Sequence, residues 1–194
     1  FMDLDGNIIW EQKSPGVVTN NDIDHILPIN DHEILISSND FIYDYNIKNV
    51  TSRYAVMRYN TETKKPVWYT WWNEPRKENR TSESQIIKST KSDHYFLMAS
   101  DYIREDTLYY TSGKIVKFNN NGQKLWQKSY YHSSKWAVIN EFINMIPTSD
   151  GNYLIGGWEG LSGNAWLVKI DEDGNILPID TTSSIDQINI TRDL

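Results

Sequence analysis

One short phrase returns four times along the 194 residues of this chain: a strand-like run, a turn rich in Asn or Asp, and a hydrophobic stretch that in three copies reaches a Trp. The copies run from Met2 to Trp10, from Arg58 to Trp68, from Lys117 to Trp126 and from Lys169 to Leu177. Their marker residues, Asp3, Asn60, Asn119 and Asp171, recur at about 50 to 60 residues, the period of propeller and solenoid architectures. A period of that kind constrains the fold far more than the function.

Each unit reads as two hairpins joined by a loop. The last shows them most plainly: Glu141 to Thr148 and Tyr153 to Trp158 flank Ser149-Asp150-Gly151-Asn152, while Ala165 to Ile170 and Ile176 to Ile179 flank Asp171 to Asn175. Asp-Gly between two such runs is a strong hairpin signal, because the turn needs positive φ, which Gly accepts at no steric cost. Upstream, Ile23–Ile29, Ile34–Ser38, Tyr54–Tyr59 and Val67–Trp72 read as one four-stranded sheet. Gln85–Thr90, Tyr95–Ser100, Lys114–Phe118 and Lys124–Ser129 read as another. Ile8–Lys13 is then a leftover fourth strand of a sheet expected before Phe1. No window shows apolar residues at the three-and-four spacing of a helix. The longest segments without strand pattern are Asp40–Ser52, Asn73–Glu83 and Asp101–Ser112.

The expected fold is therefore all-β: a β-propeller-like array of four-stranded antiparallel blades. An extra strand occupies residues 1–16, blades occupy 17–75, 76–135 and 136–180, and a polar tail or linker occupies 181–194. Three blades are too few to close a ring, for which four is the usual minimum, so the chain is expected to be a fragment of a larger propeller, the favoured reading, or an open array that covers its end sheets by association. Its partners would include the remaining blades of a parent protein.

Composition excludes several chemistries. There is no cysteine, hence no disulfide scaffold, thiolate metal site or cysteine nucleophile. A formal net charge of -7 and the absence of a basic block argue against nucleic acid as a partner. No run reaches the roughly 18 apolar residues of a membrane helix, so membrane insertion is not expected.

The phrase Lys-hydrophobic-Asp-x-x-Gly, with the upstream run Asp150-Gly151-Asn152-Tyr153-Leu154-Ile155-Gly156-Gly157, resembles the repeats of large secreted β-propeller proteins of Bacteroidetes-type bacteria, distantly similar to quinoprotein propellers. The resemblance covers nearly the whole chain to about Asp180. It implies a secreted or cell-surface protein, and in such proteins a polar tail often leads to a sorting domain of the type IX secretion system. It also implies that the recurring Trp docks each blade onto its neighbour, a role that would fall to Trp10, Trp68 and Trp126. Pro178 stands in that place in the last copy.

The acidic turns Asp3-x-Asp5-Gly and Asp171-x-Asp173-Gly resemble the opening of a calcium loop. The bidentate Glu such a loop needs at its twelfth position is absent: Ser14 and Thr182 stand there. Other copies replace Asp by Asn, which keeps a turn and weakens a cation site, so these aspartates read as turn formers and no metal or cofactor is expected. Aromatic residues form the other constellation. Tyr69, Trp71, Trp72 and Trp158 are the candidate ligand-binding residues, as platforms for a carbohydrate or a protein. Alternation puts Trp68, Thr70 and Trp72 on one face of their strand and Tyr69 and Trp71 on the other. No nucleophile elbow, phosphate loop or metal-spaced histidine set is present, and no catalytic residue is assigned. The functional expectation is a non-enzymatic binding or scaffolding module. The alternative is part of a propeller enzyme, a quinoprotein-like oxidoreductase or a glycan-processing enzyme, whose site is completed by blades outside this chain.

Overall fold

The computed structural model describes residues 21–44, 49–72, 80–81, 84–105, 108–131, 140–159 and 164–179. The leftover strand, Trp10, Asp3, Asp5 and the tail fall outside the described residues.

All thirteen described elements are strands. The first sheet holds β1 (Asn21–Asn30), β2 (Glu33–Asp44), β3 (Asn49–Asn60) and β4 (Lys65–Trp72), in that order. In the middle sheet the outer strand comes in two pieces, β5 (Arg80–Thr81) and β6 (Gln85–Lys88), which both pair with β7 (Tyr95–Glu105). It continues through β8 (Leu108–Phe118) and β9 (Lys124–Tyr130). The third sheet holds β10 (Asn140–Pro147), β11 (Tyr153–Glu159), β12 (Asn164–Ile170) and β13 (Ile176–Leu177). Every pairing is antiparallel. With β5 and β6 counted as one interrupted strand, the molecule is three four-stranded meanders, and they do not close on one another.

The sheets stack face to face around two cores. Between the first and middle sheets lie Leu35, Tyr54 and Val56 against Ile86, Tyr95, Leu97, Ala99, Val116 and Phe118. Between the middle and third sheets lie Phe96, Met98, Ile115 and Tyr130 against Phe142, Met145, Tyr153, Ile155, Trp166, Val168 and Ile170. Strand alternation sends Tyr95 and Leu97 one way and Phe96 and Met98 the other. That double burial is why β7 opens with an unbroken apolar run, Tyr-Phe-Leu-Met-Ala. The prolines within strands, Pro28, Pro66 and Pro147, all lie in the outer strands β1, β4 and β10, where a missing N–H costs no ladder bond.

Three turns carry their Gly in the left-handed region: Gly122 at φ 77°, Gly151 at 75° and Gly174 at 74°. The β3–β4 turn instead places Lys64 there, at φ 55°.

Two of the segments without strand pattern are paired strand. β2 and β3 continue past Asp40↔Arg53 to Asp44↔Asn49, and β7 and β8 continue past Asp101↔Ser112 to Glu105↔Leu108. Both sheets thus extend a hairpin arm past the level where the third sheet's pairing ends, about 13 Å of paired strand in each at the usual rise per residue. In the third sheet the equivalent pairing stops at Glu159↔Asn164. Of Asn73–Glu83, Arg80 and Thr81 form β5, and residues 73–79 and 82–83 lie outside the described set. The last strand is shorter than its pattern suggests, ending at Leu177 because Pro178 has no N–H to continue the ladder.

Candidate functional site

At the turn end of the stack, each sheet grips the turn of the next. Arg58 closes an ion pair with Glu33 of its own sheet at 2.7 Å. It also donates to the Asn120 carbonyl at 3.2 Å and to the Asn120 side chain at 2.7 Å. Trp68 Nε1 donates to the same carbonyl at 3.0 Å. Lys117, one sheet further, pairs with Glu172 at 2.9 Å and donates to the Glu172 carbonyl at 3.2 Å. Asn120 and Glu172 hold the same position in consecutive turns.

The recurring Trp and the recurring Gly meet here as well. A Cβ on Gly122 would lie 3.0 Å from the Trp68 ring, and one on Gly174 would lie 2.7 Å from Trp126. Each indole therefore lies across the neighbouring turn at a point where any side chain would collide. Trp126 Nε1, unlike that of Trp68, is buried without a hydrogen-bond partner.

Glu172 is the hub of the second contact. Tyr153 donates to one carboxylate oxygen at 2.6 Å, while Ser89 and Ser92 donate to the other at 2.8 and 2.9 Å. Burial opposes ionisation of this group, but the hydrogen bonds from Tyr153, Lys117, Ser89 and Ser92 outweigh it and hold the carboxyl below the usual range.

At the arm end the chemistry stops repeating. Asp101 and Lys114, both almost wholly buried, form an ion pair on the face the middle sheet turns toward the first. Tyr54 of β3 donates its hydroxyl to the Asp101 carboxylate from across the interface, and the Lys114 ammonium lies 5.8 Å from the centre of the Tyr54 ring. Ser112 stands directly opposite Asp101 in the β7–β8 ladder, with its hydroxyl buried and without a partner. Nearby, Asp24 accepts from the Ser84 amide at 3.1 Å and from its hydroxyl at 2.7 Å, where the outer strand of the middle sheet is interrupted. The Ile86 amide points at His25 Nδ1 at 3.4 Å, and burial lowers the pKa of that imidazole, which suits a neutral acceptor. These residues lie at the root of the two arms.

The residues picked out from the sequence do not converge. Trp72 packs into the first core, its ring centre 5.2 Å from that of Phe118. Tyr69 and Trp71 form a tilted pair at 5.5 Å on the opposite face, the outer face of the first sheet, with Trp71 45% exposed. Trp158 is on the outer face of the third sheet, donating to Glu141 at 2.7 Å. Two sheet interfaces therefore separate it from Trp71. In the last turn, one Asp171 oxygen accepts the amides of Asp173 and Asn175 at 2.9 and 2.8 Å, and the other accepts the Asn175 side chain at 2.9 Å. Burial disfavours the Asp171 anion, but these bonds outweigh it and lower its pKa. Both oxygens are spent on the turn, and among the described residues no group of three or more acidic or histidine side chains is placed to hold a metal.

Among the described residues no helix is long and apolar enough to cross a membrane. Compared with known protein families, with curated proteins and with solved structures, the chain matches none.

Proposed function

We propose that this chain is a non-enzymatic binding or scaffolding segment of a secreted or cell-surface protein, part of a longer β-propeller-like array whose ligand, a glycan or a protein, is met at the arm end. The observation that carries this reading is the contrast between the two ends of the stack. At the turn end the recurring Arg58, Lys117, Trp68 and Trp126 are absorbed by contacts between sheets. At the other end two arms of equal paired length extend from adjacent sheets, and irregular or extended connections held by a rigid scaffold are where binding surfaces concentrate.

The test is a printed glycan array probed with the chain and with a variant whose arms are cut back to two-residue turns after Asn39 and after Asp101. Saccharide binding that disappears with the arms, at unchanged melting temperature, supports the reading. Binding that survives arm removal but is lost on Trp71→Ala moves the site to the outer face of the first sheet, and a blank array for the intact chain removes glycans as the ligand.

The Asp101–Lys114 pair favours a second reading, an enzyme whose site is completed by further sheets. Turnover of a bound saccharide that Lys114→Met abolishes without weakening binding would establish it.

A further inference from the structure

Each sheet grips the next a second time, along the opening strands β1, β6 and β10, and the two grips differ in one side chain. Pro28, Lys88 and Pro147 pair with Ile34, Tyr95 and Tyr153, so His25, Gln85 and Asn144, three residues before them, hold equivalent positions. Gln85 Oε1 accepts the Met145 backbone amide at 2.8 Å, while its Nε2 donates to Asn144 at 3.0 Å. His25 Nδ1 accepts the Ile86 backbone amide at 3.4 Å. Ile86 and Met145 are equivalent too, and both are buried. One interface therefore hands a backbone N–H to an imidazole and the other hands it to a carboxamide. We propose that His25 is a proton-operated latch between the first and middle sheets, closed at neutral pH and open in mild acid, whereas Gln85 keeps the equivalent bond of the second interface through the same range.

Only a neutral imidazole offers an acceptor; once protonated, both its nitrogens are donors. Protonation of His25 sets N–H against N–H and leaves the Ile86 amide without a partner, which is costly for a buried group. A carboxamide does not titrate, so Gln85 keeps its bond. The local backbone aims the imidazole. Register slips between Ile23 and His25, which gives β1 one extra residue, Asp24. That residue accepts the amide and the hydroxyl of Ser84, so two consecutive side chains of β1 engage the backbone of the middle sheet at Ser84 and Ile86.

Facing His25, β2 presents the uncharged Ser37. On β6 the charged residue is Lys88, paired with Asp93 at 3.6 Å, and the adjoining carboxylate on β1 is Asp24. Glu83, next to Ser84 in the chain, lies outside the described residues. Burial lowers the imidazole pKa from its ordinary 6.5, so the unfolded chain takes up the proton first. The stabilisation given by neutral His25 is complete above 6.5 and is lost as the pH falls through the lowered value. That loss begins at a higher pH than the one at Glu172, whose carboxyl is held below 4.5.

The test is amide exchange of the intact chain, followed residue by residue by NMR and normalised to the unfolded-chain rate, between about pH 7.5 and about pH 5, the range that brackets histidine titration. The Ile86 protection factor is expected to fall roughly fivefold, as for loss of one ordinary hydrogen bond, in step with titration of the His25 ring, while the Met145 amide keeps its protection. His25→Gln is expected to remove the response, and Gln85→His to transplant it to the Met145 amide. Asp24→Asn and Glu83→Gln are expected to leave it in place.

An Ile86 amide that stays protected while His25 titrates overturns the proposal. So does a response that survives His25→Gln, or one that disappears with Asp24→Asn or Glu83→Gln, which would assign it to a carboxylate. A Met145 amide indifferent to pH in a folded Gln85→His chain overturns it as well, and the His25→Gln arm decides alone should that variant not fold.

Discussion

Between the first and middle sheets the arm end of the interface is a buried ion pair under a tyrosine, whereas between the middle and third sheets the same level is a stack of rings. In the first case Tyr54 reaches across to Asp101 and Lys114. In the second, Gly113 takes the place of Tyr54, and Phe142 fills the space above it, 5.0 Å from Trp166 and 5.6 Å from Tyr130. The aromatic has moved from one side of the interface to the other. Trp166 stands where the middle sheet has Lys114. Equal backbones with opposite chemistry teach that the repeat dictates how sheets stack at the turns and leaves the arm end open to local solutions.

The comparison breaks most visibly at Lys114. Lys114→Ala strands a buried carboxylate and is expected to cost about 3–5 kcal/mol in chemical denaturation. Replacing all three partners, Asp101→Leu and Lys114→Met with Tyr54→Phe, which removes the hydroxyl that Asp101 accepts, is expected to be neutral or stabilising. A triple variant as unstable as the single one would show that the interface needs the charge itself.

On the other side, Gly113→Ala should cost about 1–3 kcal/mol. The new methyl would lie 2.5 Å from the Phe142 ring, which Tyr130 and Trp166 hold in place. No loss of melting temperature would mean that the rings are free to shift.

A pH titration separates the two interfaces again. The Glu172 carboxyl is held below its ordinary value of 4.5, so the stabilisation it gives the second interface is complete above that value and is lost as the pH falls through the lowered one. Glu172→Gln should flatten this acid limb of the stability profile. Hydrogen exchange should show the third sheet losing protection first, and simultaneous loss in all three sheets would refute the assignment.

Smaller again is the difference between the docking indoles. Trp68→Phe removes a hydrogen bond worth about 1 kcal/mol, whereas Trp126→Phe removes a buried donor that has no partner and should cost less or even stabilise. Matching losses at both positions would show that the bond to the Asn120 carbonyl contributes nothing.

The smallest effect belongs to the turn that departs from the Gly pattern. Lys64→Gly relieves a left-handed backbone and is expected to stabilise by about 1 kcal/mol or less. A loss on that substitution would mean that the Lys64 side chain matters to the turn.

The turn end was legible in the sequence because its residues recur in register: Gly122 and Gly174 mark left-handed positions that composition alone suggests. The arms were not. Asn39, Asp40, Asp44 and Asn49 are poor strand formers, and pairing within the hairpin holds these residues extended. The Asp101–Lys114 pair was hidden for another reason. Two charged residues thirteen positions apart look solvated until the β7–β8 register, and the first sheet packed over it, put them inside. Trp72 differed from Tyr69 and Trp71 only by parity, and parity does tell which face a residue takes. It does not tell that this face is the packed one.

The recurring cations and indoles reach from each described sheet to the turn of the next, Arg58 and Trp68 to Asn120 and Lys117 to Glu172, so among the described sheets the middle one is gripped and also grips. Because such stacks draw stability from nearest neighbours, the chain should fray from its two ends inward. The amides of β7 and β8 should then be the last to exchange, retaining structure after either outer sheet has come away.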